Sequence, residues 1–137
     1  MGVAAESIEL VDAVAERSGR EMLLEATGEL MSEVGSIDVS LHHIAKRAGV
    51  TAPLVKYHFG SKDGLLLALA QRDTAQSIKQ LTELMAMDLD PATKLRIHIQ
   101  GIIRTYSRFP YLNRLLEHFL IDPEAESTCA IWDSFLL

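Results

Sequence analysis

The sequence is short of the features that mark several large protein classes. It has a single cysteine, Cys129, in 137 residues. No internal disulfide framework can form from it, and a reducing cytoplasm is the expected setting. With no resolving cysteine near it, Cys129 reads as a buried thiol rather than a redox sensor. The longest wholly apolar run, Leu65 to Ala70, has six residues, against roughly 20 for a helix that spans a bilayer. No membrane partner is expected. Residues Met1 to Glu16 are acidic and have no basic start before an apolar stretch, so they do not read as a signal peptide. Strand signals are almost missing, because no stretch alternates apolar and polar residues over a strand's length. Catalytic constellations are missing too: there is no Gly-rich phosphate loop, no nucleophile elbow and no supported carboxylate pair. The chain is therefore expected to be no enzyme and to need no cofactor and no metal.

What is present is a helix-forming, core-building sequence. Apolar residues make up 48% and charged residues 23%, ordinary values for a folded chain that can bury a sizeable core. The net charge of -6 argues at first against a polyanionic partner, but it is unevenly distributed. Between Val39 and Lys62 lie Lys46, Arg47, Lys56 and Lys62, three of the five histidines (His42, His43, His58), and no acid. Without that window nine cations face 19 acids. An acid-free basic window in an acidic chain is a candidate polyanion footprint; chance composition on a solvated face would look the same.

Helical spacing predicts an all-α chain. Met22, Leu23, Ala26, Leu30 and Val34 form an apolar stripe on a first helix from Gly19 to Val34. Glu21, Glu25, Glu29 and Glu33 form a second stripe whose like charges, one turn apart, repel and so are expected to face water. Ser40 is a good N-cap for a helix Leu41–Ala48, and Gly49 breaks it. Thr51 can cap a short helix from Ala52 to about His58, with Pro53 in its first turn. Gly60 closes that helix, and Ser61 can cap a long fourth one running to about Met87. Asp90 and Pro91 open a fifth helix lined by Leu95, Ile99, Ile102, Ile103 and Tyr106. A sixth presents Leu112, Leu115, Leu116 and Phe119 on one face, and Asp122 and Pro123 open a seventh. No internal repeat and no low-complexity tract interrupts this order.

The second and third helices form a helix-turn-helix inside the basic window. Ala45 must be small where the second element crosses, Gly49 follows at the turn, and Val55 packs the recognition helix on the first. Here "LHHIAKRAGVTAPLVKYHFGSKDGLL", Leu41 to Leu66, resembles the signature of TetR-type transcriptional repressors. "EMLLEATGELMSEVG" before it is similar to that family's first helix, and "YHFGSK", Tyr57 to Lys62, is the most specific part. The resemblance implies an all-helical regulator without catalytic activity that binds palindromic operator DNA as a homodimer. It also implies release by a small-molecule inducer held among the C-terminal helices. On that resemblance, residues 19–64 form the DNA-binding domain and 65–137 a helical ligand-binding and dimerisation domain, with 1–18 a tail or extra helix. That family usually continues into two more long helices that form its dimer interface, so the chain is expected to be truncated at its C-terminus.

The resemblance assigns roles residue by residue. Ser40 and Thr51 match helix N-caps that meet phosphates. Ala52 and Pro53 begin the recognition helix, facing base edges; many relatives have lysine and glycine there, and this chain departs from them. Lys56 stands where tyrosine is common and can meet a guanine edge or a phosphate. Tyr57 and His58 match a pair that contacts backbone or bases, Lys62 a phosphate contact, and Phe59 a core residue. His42, His43, Lys46 and Arg47 read chiefly as solvated. On the ligand side, His98, Ile102, Tyr106, Leu115, His118, Phe119 and Trp132 are the candidate pocket residues, and the same residues would equally serve an ordinary core. Arg104 and Arg108, one turn apart, can hold a carboxylate or face solvent. The reading from another class is a helical protein-interaction module, using the Glu stripe or the C-terminal helices, with no sequence-specific DNA binding.

Overall fold

A computed structural model of the chain describes residues 19–121. Among the described residues there are helices and no strands: α1 at 19–34, α2 Leu41–Ala48, α3 Ala52–Phe59, α4 Lys62–Ala86, α5 Pro91–Arg108 and α6 Leu112–Ile121. The expected seventh helix, Cys129 and Trp132 lie outside the described residues.

The caps fall where the side-chain chemistry directs. Ser40 Oγ accepts from His43 N at 3.2 Å, Ser61 Oγ from Gly64 N at 3.0 Å and Asp90 Oδ1 from Thr93 N at 3.0 Å. Each satisfies an otherwise orphaned N–H at a helix start. Gly49 ends α2 at φ 70°, in the left-handed region that glycine enters without steric cost. Val50 N then donates back to Ala45 O at 3.0 Å, which swings the chain into α3. At the next corner a Cβ on Gly64 would lie 2.0 Å from Phe59 O, so only glycine lets α4 start this close to the end of α3.

α1, α2, α3 and the first half of α4 form a head, whose core is Leu23 and Leu24 of α1, Ile44 and Ala45 of α2, Val55 of α3, and Leu65, Leu66 and Leu69 of α4, all buried. Burying a side chain of this size stabilises by about 1.5–3 kcal/mol. α1 is rotated from the expected stripe: Met22 is 42% and Val34 61% exposed, while Leu24, Thr27 and Met31 are buried. Thr27 explains the shift. Its hydroxyl donates to Leu23 O at 2.6 Å, so a residue that reads as polar sits inside without an unpaired group.

α6 lies antiparallel to the first half of α4, with Tyr111 at Asp73 and His118 at Asp63. Leu112, Leu115 and Phe119 carry the head's core into this second layer. α5 instead has no fully buried residue. It is held to α4 by a Ser77–Thr105 hydroxyl pair at 2.6 Å and by Lys94 Nζ donating to Met85 O at 2.9 Å. No described helix is long and apolar enough to cross a membrane.

Candidate nucleic-acid interface

α3 is anchored on one side only. Val55 is fully buried, whereas Ala52, Pro53, Lys56 and Tyr57 are exposed. These four lie on the outer face because positions three and four apart share a side of a helix. That face offers a methyl group, a proline ring, an ammonium and a phenol, with no acid among them.

The helix starts frame this face. Thr51 caps α3 with extended backbone, and its side chain makes no cap hydrogen bond. Its hydroxyl is therefore available to a phosphate oxygen at the start of α3, where Pro53 has no N–H to offer and Leu54 N already donates to Thr51 O at 3.0 Å. Ser40 Oγ already accepts from His43 N, which leaves its O–H as a donor. Lys62, half-buried, opens α4 beside the Ser61 cap. Ser40, Thr51, Ala52, Pro53, Lys56, Tyr57 and Lys62 thus all reach solvent on the head. His58 departs from this set. It is half-buried, its ring 5.1 Å edge-on from that of Tyr57. Its Nε2 lies 3.4 Å from where a Cβ on Gly19 would stand, so it is turned toward α1 and away from the outer face of α3.

The basic window is also less available than its composition implies. Lys46 is exposed, but Arg47 bonds to Glu29 and Glu33 of α1. The Arg47 fork holds the Glu33 carboxyl below its ordinary 4.5, and the Glu33 and Glu29 bonds in turn raise the guanidinium. Two of the four stripe glutamates are thus turned onto the head instead of facing water alone.

The candidate ligand residues separate into three groups. His98, Ile102 and Tyr106 line an open, largely apolar groove of about 730 Å³ between α4 and α5, with Leu112 and Leu116 at its α6 edge. Leu115 and Phe119 do not line it. They are 0% and 2% exposed, because this face of α6 packs on the first half of α4. His118 does not line it either, and points to Asp63 Oδ1 at 3.2 Å. Arg104 borders the groove and also, with Arg108, a polar cleft that Glu21 and Glu25 of α1 share.

A buried polar junction escaped the sequence reading. Asp73, 4% exposed, accepts from the Tyr111 hydroxyl and from Arg72 Nε, the latter at 2.9 Å. Burial, then the bond to Asp73, pushes the Tyr111 phenol well above its ordinary value. The Tyr111 hydroxyl also lies 2.8 Å from where a Cβ on Gly28 would stand, so α1, α4 and α6 meet at one point. Leu66, Leu69, Ala70 and Asp73 follow core spacing along α4, which is the signal that marks Asp73 as an inward carboxylate.

Two capped helices about a left-handed glycine, with a cationic outer face on the second, place the chain among helix-turn-helix proteins. Residues 23–69 match the family described as bacterial regulatory proteins, tetR family. Residues 88–137 match the Tetracyclin repressor-like C-terminal domain. The chain belongs to the tetR family of bacterial regulatory proteins. It is 37% identical over 84 residues to the HTH-type transcriptional regulator BetI of Stenotrophomonas maltophilia (strain R551-3), covering 60% of this chain and 42% of that protein. It is 35% identical over 85 residues to BetI of Yersinia pestis (strain Pestoides F), with the same coverages. It is 49% identical over 47 residues to BetI 1 of Chromohalobacter salexigens, covering 34% of this chain and 23% of that protein. The chain thus covers well under half the length of these curated relatives.

Proposed function

We propose that this chain reads duplex DNA through the outer face of α3 and acts as a transcriptional regulator, a repressor released by a small molecule, working as a homodimer in the bacterial cytoplasm and performing no catalysis. The observation that carries the reading is the exposed Ala52–Pro53–Lys56–Tyr57 face, with the Thr51 cap at its start and Lys62 beside its end. In the major groove Ala52 offers a methyl to a thymine methyl, and Lys56 an ammonium to a guanine edge. Ser40, Thr51 and Lys62 set register on the phosphates. His58 acts indirectly, holding Tyr57 from behind. The operator is an inverted repeat, because two identical heads related by a two-fold axis read it.

The groove of His98, Ile102 and Tyr106 is the proposed inducer site, its apolar walls and few polar groups suiting a small, largely apolar molecule. Ligand pressure on α5 and α6 reaches the head through the Tyr111–Asp73 junction. Residues 19–64 then serve as the DNA-binding unit, and 65–137 belong to the regulatory body.

The test is selection of duplexes from a randomised pool by the full chain, followed by titration across salt. The expected result is one enriched inverted repeat, bound at least about a thousandfold tighter than random duplex and weakening steeply as salt rises. A pool without enrichment would contradict the reading and favour a helical interaction module instead.

A further inference from the structure

One cation of the basic window is already engaged by the head itself. Arg47 stands in the last turn of α2. Its Nη1 donates to Glu29 Oε2 at 3.2 Å and to Glu33 Oε1 at 2.9 Å, and its Nη2 donates to Glu33 Oε2 at 2.7 Å. Glu33 is gripped fork to fork, a geometry that fixes direction as well as distance. Glu29 and Glu33 are one turn apart on α1, where unshared like charges repel. The guanidinium between them removes that repulsion, and so two acids can lie against a head that faces a polyanion.

The place of this clamp in the fold gives it a consequence. Arg47 precedes Gly49, the left-handed pivot of the turn, by two residues, and α3 follows at once. On the neighbouring face of α2, Ile44, Ala45 and Ala48 are buried. Apolar contacts of this kind fix depth better than rotation, since they are non-directional. The directional bonds to α1 fix the rotation, and with it Ser40 at one end of α2 and the turn at the other. The body meets α1 at Gly28, beneath Tyr111, one residue before Glu29. α1 therefore touches body and clamp at adjacent positions.

We propose that Arg47 is a positioning residue for operator binding, which clamps α2 to α1 through Glu29 and Glu33, sets the angle at which α3 is offered to the major groove, and neutralises no phosphate. The proposal rests on the reading of α3 as the DNA-reading helix.

The glutamates supply the sign that separates this from a simple field effect. Removing acids near bound DNA raises affinity when only the field counts. When the acids hold Arg47 in place, their removal lowers it. The experiment titrates the full chain and four variants, by fluorescence anisotropy over a range of KCl, against the selected duplex and a scrambled one. The variants are Arg47→Ala, Arg47→Lys, Glu29→Gln/Glu33→Gln, and the triple change. Arg47→Ala and the paired Gln variant are each expected to lose on the order of three- to tenfold on the selected duplex, a usual scale for coupled neighbours. Neither shows a matching loss on the scrambled duplex or a change in the slope of log K against log salt, the triple variant loses no more than either, and Arg47→Lys recovers only part. A slope shallower by about 0.9 for Arg47→Ala would make Arg47 a phosphate contact and overturn the proposal. Tighter binding by the paired Gln variant, or additive losses in the triple, would do the same. The paired Gln variant keeps every apolar contact and carries the test if Arg47→Ala folds poorly. Should the wild-type chain prefer no duplex, the operator reading fails, and thermal melts without DNA judge the clamp: coupled Arg47→Ala and Glu33→Gln effects support it, and additive ones overturn it.

Discussion

The hydroxyl of Tyr111, at the entrance to α6, donates to the buried carboxylate of Asp73 in α4 and sits against Gly28 of α1. Three helices are tied at this one bond, and a residue of the regulatory layer touches the DNA-binding layer there. Tyr111→Phe leaves one oxygen of a buried carboxylate without its donor. The expected loss is about 1–3 kcal/mol, read from urea unfolding. Gly28→Ala presses a Cβ on the hydroxyl and is expected to destabilise as well. Adding Tyr111→Phe to Gly28→Ala relieves the pressure, so the paired loss is smaller than the sum of the two.

The same phenol gives stability an alkaline dependence. Burial raises its pKa in the folded chain above the ordinary 10.0, so the folded state holds this proton more tightly than the unfolded state. The contribution is complete below pH 10 and is lost as pH climbs toward the raised value. Midpoints from urea titrations at pH 8, 10 and 11 are expected to fall less steeply for Tyr111→Phe than for wild type. Equal slopes would remove Tyr111 as the cause. Glu33 has the opposite sign: its lowered pKa gives a contribution present above pH 4.5 and lost as pH falls, which Glu33→Gln abolishes.

Gly64→Ala tests the corner between α3 and α4. The added Cβ would meet a backbone carbonyl at 2.0 Å, and backbone yields less readily than a side-chain tip. The expected cost is about 1–3 kcal/mol of overpacking, seen as a lower melting temperature with helix content kept. An unchanged melt would mean that the corner opens without cost.

On the ligand side, Ile102→Trp fills the groove between α4 and α5 without touching the head. A small apolar molecule that raises the melting temperature of the wild type is expected to leave this variant unmoved, while its duplex titration stays as in wild type. A retained ligand shift would place the inducer elsewhere.

Much of this architecture is written in local chemistry. Ser40, Gly49, Ser61 and the Asp90–Pro91 pair mark helix ends by the groups they satisfy or forbid, and each boundary stands within a residue of where they put it. The exposure of Ala52, Pro53, Lys56 and Tyr57 follows once Val55 is the anchor. What spacing does not carry is the identity of the neighbour across a helix face. Leu115 and Phe119 share an apolar face with the right composition for a pocket, yet that face meets α4 and closes. Arg47 reads as a solvated cation until the angle between α1 and α2 brings Glu29 and Glu33 beneath it. Thr27 hides its polarity in a bond to its own helix, so an apolar count misplaces the buried side of α1. The need for Gly64 appears only when α4 is drawn back against Phe59.

Lys62→Ala is expected to weaken every duplex alike and to reduce the salt slope by about 1. Lys56→Ala is expected to relax preference at one base pair as well, and a uniform loss would assign Lys56 to a phosphate.

The most direct measurement is the salt dependence of binding by wild type and by Lys56→Ala/Lys62→Ala, on the selected inverted repeat and on a scrambled duplex. If α3 and the start of α4 read DNA, the wild type separates the two duplexes at every salt concentration. The double variant then keeps less of that separation, by the one base contact of Lys56 (about 1–3 kcal/mol), and its slope is shallower by up to about 2. Equal slopes and an equal preference in the two proteins would contradict the account, because the face built by Ala52, Pro53, Lys56 and Tyr57 would then not be where this chain meets DNA.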